Sequence, residues 1–155
     1  KVFAVAFTMV VVAISCIELD ALVKLSEELL EITSSTKGQE AREGLLGRIF
    51  AYGALVRCGR LEVKTAASSD KGAELARDLT QSILMLANKK CFMCEPAVAI
   101  ILDLVDRMPR KVLLTRILKA PILKEWLQKD PRSGHPDALL LALKLFEKLP
   151  LETRN

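Results

Sequence analysis

Apolar residues recur at the three- and four-residue spacing of an α-helix along almost the whole chain, and this pattern most constrains the fold. No stretch convincingly shows the strict alternation of a half-buried strand. Hydrophobic residues make up 51% of the sequence and aromatic residues only 5%, so aliphatic side chains supply most of the potential core. Aliphatic ridges suit the packing of helix on helix. The sequence therefore predicts an all-α protein.

Eight periodic segments predict eight helices. They span residues 2–15, 18–30, 39–58, 72–88, 95–109, 110–118, 121–128 and 136–148. Gly59 is placed to end the third helix, and Pro96 stands in the first turn of the fifth, where its missing N–H costs nothing. Gly47 and Gly53 lower helix propensity, and we expect them to allow close approach of a neighbouring helix. Residues 61–71 and 130–134 are predicted to be a loop and a turn.

The first helical segment is apolar on all sides, which predicts burial among several neighbours. A lysine before it and Cys16 after it superficially resemble a signal peptide or lipoprotein site. However, Ala13 stands where a lipoprotein site wants Leu or Val, and the segment is shorter than the roughly 20 residues of a membrane span. We therefore expect no contact with a membrane.

Paired helices with short connections and wide apolar faces are typical of an alpha solenoid. The helix lengths vary, and no fixed-period signature recurs. The prediction is an irregular HEAT- or armadillo-like array, with residues 1–155 forming a single helical-repeat segment. Because the chain opens in an apolar helix without an initiator methionine, we expect this segment to belong to a longer solenoid.

Four cysteines, at positions 16, 58, 91 and 94, raise the question of a disulfide or a zinc site. Cys91 and Cys94 form a C-x-x-C motif, but no second such motif exists, and the one histidine, His135, lies far along the chain. A zinc site with four ligands normally needs two ligand pairs. A thioredoxin-type motif would join a strand to a helix, whereas this one lies between two helices. We interpret the cysteines as structural thiols and predict no metal and no cofactor.

Sequence motifs of catalysis are absent as well. The chain has no phosphate-binding glycine loop, no dinucleotide-binding glycine motif and no H-E-x-x-H motif. Asp103 and Asp106 could share one helix face, but templated nucleotide addition needs carboxylates that hold two metal ions, usually from adjacent strands. A solvated helix face explains the two aspartates better. We therefore expect a binding protein that is not an enzyme and has no small-molecule substrate.

Basic residues are unevenly distributed and gather near predicted helix ends. Residues 1–37 carry three lysines and five acidic residues, whereas residues 38–155 carry twenty lysines or arginines and fourteen acidic residues. The candidate contacts to a nucleic-acid backbone are Arg48, Arg57, Arg60, Lys64, Lys89, Lys90, Arg107, Arg110 and Lys111. In a stacked array they would line one ridge facing phosphates. Alternatively they only complement helix dipoles, and no aromatic residues interleave with them as base stacking would require.

Three ordered blocks carry a family resemblance. They read EGLLGRIFAYGALVRCGRL at 43–61, EPAVAIILDLVDRMP at 95–109 and HPDALLLALKLFEKLP at 135–150. With the segments around them they resemble the Myb-binding protein 1A family, also called the DNA polymerase V or polymerase phi family, and its plant members most of all. Cys58 departs from the serine expected in the plant pattern.

The resemblance implies a large, mostly helical protein with armadillo-like repeats, of which this chain is an N-terminal portion. It further implies a nuclear, nucleolar protein of ribosomal RNA synthesis and ribosome biogenesis, with DNA binding and transcriptional co-regulation. The implied partners are transcription or ribosome-biogenesis proteins and the backbone of DNA or ribosomal RNA. No catalytic residue carries over. The alternatives are a solenoid that binds only proteins and, as the family name suggests, a DNA-directed DNA polymerase.

Overall fold

A computed structural model describes residues 2–61, 69–129 and 136–149. Within these ranges it contains eight α-helices, two short 3-10 helices and no strand, which confirms the all-α prediction. Lys64, His135 and the turn predicted at 130–134 lie outside the described residues. The α-helices are α1 (Val2–Ala13), α2 (Leu19–Leu29), α3 (Gly38–Arg57), α4 (Ser69–Lys89), α5 (Cys94–Arg107), α6 (Arg110–Thr115), α7 (Pro121–Gln128) and α8 (Pro136–Lys148).

Local sequence signals explain where several helices begin and end. Gly59 follows the last residues of α3 with a φ of 74°, the left-handed conformation that glycine adopts without strain. Pro121 opens α7, as predicted. The predicted loop at 61–71 is too long, because α4 already begins at Ser69 and carries Asp70 in its first turn, where a negative charge is favourable. The sixth helix is shorter than predicted, since α6 ends at Thr115.

The chain divides into two compact units, unit 1 (Lys1–Glu62) and unit 2 (Val63–Asn155). The prediction that residues 1–155 form one helical-repeat segment stays a prediction.

In unit 1, α1 and α2 both pack against α3. The core cluster is formed by Val11, Leu22, Leu55 and Cys58. Gly47 supports the prediction of close approach, because a Cβ atom there would lie 3.3 Å from the side chain of Leu30.

Two predictions about burial in unit 1 are wrong. The helix α1 has only one buried residue, Val11, and Val2 and Phe3 are 85% and 81% exposed, because within this unit only α3 packs extensively against it. The helical spacing of Leu19, Leu22, Val23, Leu29 and Leu30 predicts one buried stripe on α2, but Leu29 is 74% exposed. It is the last residue of α2, and the following residue, Leu30, packs on α3 instead.

In unit 2, two helical hairpins lie side by side. The helix α5 packs against α4, α7 packs against α4, and α8 packs against both α5 and α7. The backbone N–H of Ile122 donates to Gln81 Oε1, and the buried Trp126 donates from Nε1 to Asn88 Oδ1 at 3.0 Å. The residue later in α7, Trp126, contacts the residue later in α4, Asn88, so these two helices run in the same direction. Trp126 is thus a packing anchor between α7 and α4.

Candidate nucleic-acid interface

Arg60 lies at the end of unit 1, where its guanidinium group donates to three backbone carbonyls. The Nη1 atom lies 3.3 Å from Val11 O, and the Nη2 atom lies 2.9 Å from Ser15 O and 2.5 Å from Ile17 O. These acceptors are the last turn of α1 and the segment that follows it, where carbonyls lack partners within the helix. The side chain therefore fastens α1 to the end of α3.

Arg48 also faces the inside of unit 1. Its Nη2 atom donates to Glu27 O at 2.9 Å, and its buried Nε atom has no hydrogen-bond partner. Tyr52, on the same helix, is only 1% exposed, and its hydroxyl donates to Glu27 Oε1 at 2.9 Å. Arg57, in the last turn of α3, is exposed. Of the three predicted arginines in unit 1, only Arg57 thus presents its side chain mainly to solvent.

The predicted basic residues of unit 2 form two exposed clusters. Lys89 and Lys90 lie at the end of α4, and neither has an ion pair in the described part of the chain. Arg107 ends α5, and Arg110 and Lys111 begin α6. Arg107 and Arg110 make other interactions, whereas the ammonium group of Lys111 makes none with the described residues.

The two clusters lie at opposite ends of the α4–α5 hairpin. At one end, the Cys94 thiol lies 3.7 Å from Ala87 O, close to the end of α4. At the other end, Asp70 in the first turn of α4 lines the same groove as Lys111. An α-helix of 14 residues such as α5 is about 21 Å long. We expected successive helix ends to place the two clusters along one edge, but they do not share one. Antiparallel helices such as α4 and α5 place their C-terminal ends on opposite sides.

A groove beside α6 brings Lys111 together with two cations that the sequence reasoning missed. Its volume is about 360 Å³, and we call it the α6 groove. The residues that line it are Asp70, Ala73, Lys111, Val112, Thr115, Arg116 and Lys119. In the sequence, residues 111, 115 and 119 follow the four-residue spacing of one helix face, which is a signal that could have identified Lys119. The position of Arg116 was not, because it depends on the break between α6 and the next turn.

The polar contacts in the α6 groove leave two ammonium groups without partners among the residues that the structure describes. Arg116 Nη2 donates to Asp70 Oδ1, and the Thr115 hydroxyl donates to Lys111 O at 2.8 Å. Lys111 and Lys119 have no acidic partner among the described residues. The groove thus carries three positive charges and one carboxylate, which favours the approach of an anion.

Asp103 and Asp106 lie on α5, as predicted. The Asp106 carboxylate is 81% exposed and lies 3.6 Å from Lys148 Nζ. Asp103 is partly exposed and has an interaction of its own. Among the described residues, no group of three or more His, Cys, Asp or Glu side chains could hold a metal ion.

All four cysteines are free thiols. Cys58 and Cys94 are buried, and the Cys58 thiol donates to Leu55 O at 3.0 Å. Burial raises the pKa of the Cys94 thiol above its ordinary value, with smaller contributions from Asp137 and Cys91. A buried thiol with a raised pKa is a poor nucleophile, which is typical of a structural cysteine.

Comparison with known proteins identifies a family. A family model described as DNA polymerase phi matches residues 2–155. Searches of curated proteins and of solved structures found no match to the chain. None of the described helices is both long and apolar enough to cross a membrane.

Proposed function

The chain belongs to the DNA polymerase phi family, and from this premise we propose that it is a non-catalytic helical scaffold in ribosomal RNA transcription and ribosome biogenesis. The match over residues 2–155 carries the proposal, and it confirms the family resemblance of the three sequence blocks. In this proposal the protein acts in the nucleus and nucleolus. It binds transcription or ribosome-biogenesis proteins, contacts the backbone of DNA or ribosomal RNA, and co-regulates transcription.

The packing of unit 2 supports a repeat organisation. The helices α4 and α7 run side by side in one direction, and Lys148 Nζ at the end of α8 donates to Val105 O near the end of α5. We propose that α4–α5 and α7–α8 are successive units of a HEAT- or armadillo-like array. In such an array each unit depends chiefly on its neighbour. Leu141→Ala, in the core of α8, should then lower amide protection in α7 and α8 more than in α4. An equal loss in all four helices would indicate one cooperative domain instead.

The exposed lysines of unit 2 support backbone contact. Lys89 and Lys90 are free of ion pairs with the described residues, so no carboxylate in that part of the chain competes with a phosphate for them. Contacts of this kind are independent of sequence. For duplex DNA, each contact makes the negative slope of log K against log salt steeper by about 0.9.

The test is binding of the intact protein to duplex DNA and to structured RNA across a salt series. Lys89→Gln/Lys90→Gln should bind more weakly than the wild type and with a shallower salt slope. The matched control is Lys24→Gln/Lys37→Gln, which removes two exposed lysines of unit 1 and should change neither quantity. Absence of binding by the folded wild-type protein would contradict the nucleic-acid part of the proposal.

Protein binding without nucleic-acid contact is the second candidate, and one observation favours it. The helix α8 exposes four large apolar side chains on its outer surface. They are Leu139, Leu140, Leu143 and Phe146. Apolar patches of this kind are typical of protein-interaction surfaces. Salt dependence separates the two candidates, because phosphate contacts weaken steeply as salt rises.

The polymerase alternative has its own test. Metal-dependent incorporation of nucleotides by the purified protein, lost in Asp103→Asn or Asp106→Asn, would establish it. We expect no incorporation, and we expect both variants to bind nucleic acid as the wild type does.

A further inference from the structure

We propose that the α6 groove is a binding site for the phosphodiester backbone of a nucleic acid. Lys111, Arg116 and Lys119 would contact the phosphate oxygens. The inference rests on the proposed function and adds to it a specific site, with two residues that helix-end clustering did not identify. DNA and RNA share the phosphodiester chemistry, and the experiment below distinguishes them.

The end of α6 and the turn after it bring the three cations to the same groove. The helix α6 ends at Thr115, and Arg116 interrupts it with φ −124° and ψ −63°. A 3-10 turn, Ile117–Lys119, follows at once. Buried apolar residues anchor both pieces, since Val112 is 7% exposed and Ile117 is fully buried. Arg116 lies between these anchors and is partly exposed, whereas Lys111 and Lys119 lie on either side of them and are exposed. All three line the α6 groove.

Within the groove, the cationic side chains are the hydrogen-bond donors that remain available to a ligand. The Thr115 hydroxyl hydrogen is already used by Lys111 O, so this side chain offers only an acceptor. Arg116 gives one N–H to Asp70 and keeps others for a ligand, because a guanidinium group has five. A ligand that only accepts hydrogen bonds and carries negative charge fits this donor set, and a phosphodiester meets both conditions.

The walls of the groove favour a phosphate backbone over an acidic protein. Protein partners usually insert an aromatic or aliphatic anchor into an apolar pocket. Here the apolar lining consists of Ala73 and Val112, which are 3% and 7% exposed and leave little surface for such an anchor. Lysines act as mobile point charges and suit phosphates whose spacing varies. A volume of about 360 Å³ also admits a phosphate with several of its waters.

The experiment measures the salt slope of binding for the intact protein with Lys111→Gln/Lys119→Gln. The matched control is Lys24→Gln/Lys124→Gln, which removes the same charge at two exposed lysines outside the groove. With duplex DNA, loss of two phosphate contacts should make the slope shallower by about 1.8. Structured RNA is the second arm, and the nucleic acid on which the groove variant loses more affinity is the preferred ligand.

A second variant separates a binding role from a loss of folding. Asp70→Asn removes the one carboxylate of the groove, so binding at low salt should strengthen by about threefold to fivefold. A destabilised protein cannot bind more tightly for that reason. Unchanged or weaker binding by Asp70→Asn would overturn the assignment.

The outcomes distinguish the groove from the proposed function. If the wild type binds with a steep salt slope and the groove variant equals its control, the groove assignment fails and the scaffold proposal stands. If the folded wild type does not bind, both fail. If the wild type binds polyglutamate instead of nucleic acid, and the groove variant loses that binding, the site belongs to acidic proteins. The phosphodiester assignment is then wrong.

Discussion

Replacing Arg60 with alanine should loosen α1 from the rest of unit 1. A hydrogen bond with a charged donor contributes roughly 1.5–3 kcal/mol. Of the three bonds, the one to Ser15 O is exposed and the one to Val11 O is long at 3.3 Å, so the part-buried bond to Ile17 O dominates. The expected loss is about 2–3 kcal/mol in total, which corresponds to faster amide exchange in α1 by about 30- to 150-fold.

Hydrogen exchange read by mass spectrometry checks this value, because it reports α1 separately from unit 2. Lys24→Gln removes one positive charge from an exposed position on α2 and should leave exchange in α1 unchanged. Exchange in Arg60→Ala within about twofold of the wild type would refute the reasoning. The result also decides how any loss of nucleic-acid binding in an Arg60 variant is interpreted, since unfolding of α1 would be its first effect.

Four further predictions concern single side chains. Trp126→Phe removes the indole donor to Asn88 and should cost about 1–2 kcal/mol in urea denaturation followed by circular dichroism. Gly59→Ala forces a Cβ into a left-handed residue and should cost about 1–2 kcal/mol, seen as a lower Tm. Cys91, which is exposed, should react with iodoacetamide well before the buried Cys94 in the native protein. The raised pKa of the Cys94 thiol also stabilises the fold below its ordinary pKa of 9.0, so this contribution should fade as the pH rises through and above that value in a denaturation series. Equal reaction rates of the two thiols would contradict the packing described here. So would unchanged stability in both Trp126→Phe and Gly59→Ala.

The helices were predictable because their signals are local. Apolar periodicity located all eight, and glycine and proline marked ends such as Gly59 and Pro121 correctly. Burial was less predictable, since it depends on which side of a helix meets a neighbour. The apolar circumference of α1 indicated neighbours on several sides, yet α3 covers one side of it.

The candidate site was only partly predictable. Charge clustering identified Lys89, Lys90 and Lys111, which the structure leaves exposed and free of ion pairs with the described residues. It also selected Arg60, whose guanidinium group donates to backbone carbonyls of the same unit. Sequence spacing does not reveal these contacts, because the carbonyls lie more than forty positions earlier. Arg116 was missed because its place beside Lys111 depends on a helix break.

Lysine footprinting tests the central claim most directly. The intact protein is acetylated with and without saturating duplex DNA at low salt, and the modification of each lysine is read by mass spectrometry. We expect protection at Lys89 and Lys90 at one end of the α4–α5 hairpin and at Lys111 and Lys119 at the other, with Lys24 unprotected. Equal modification of all five lysines with and without DNA would contradict it and leave a scaffold that binds only proteins.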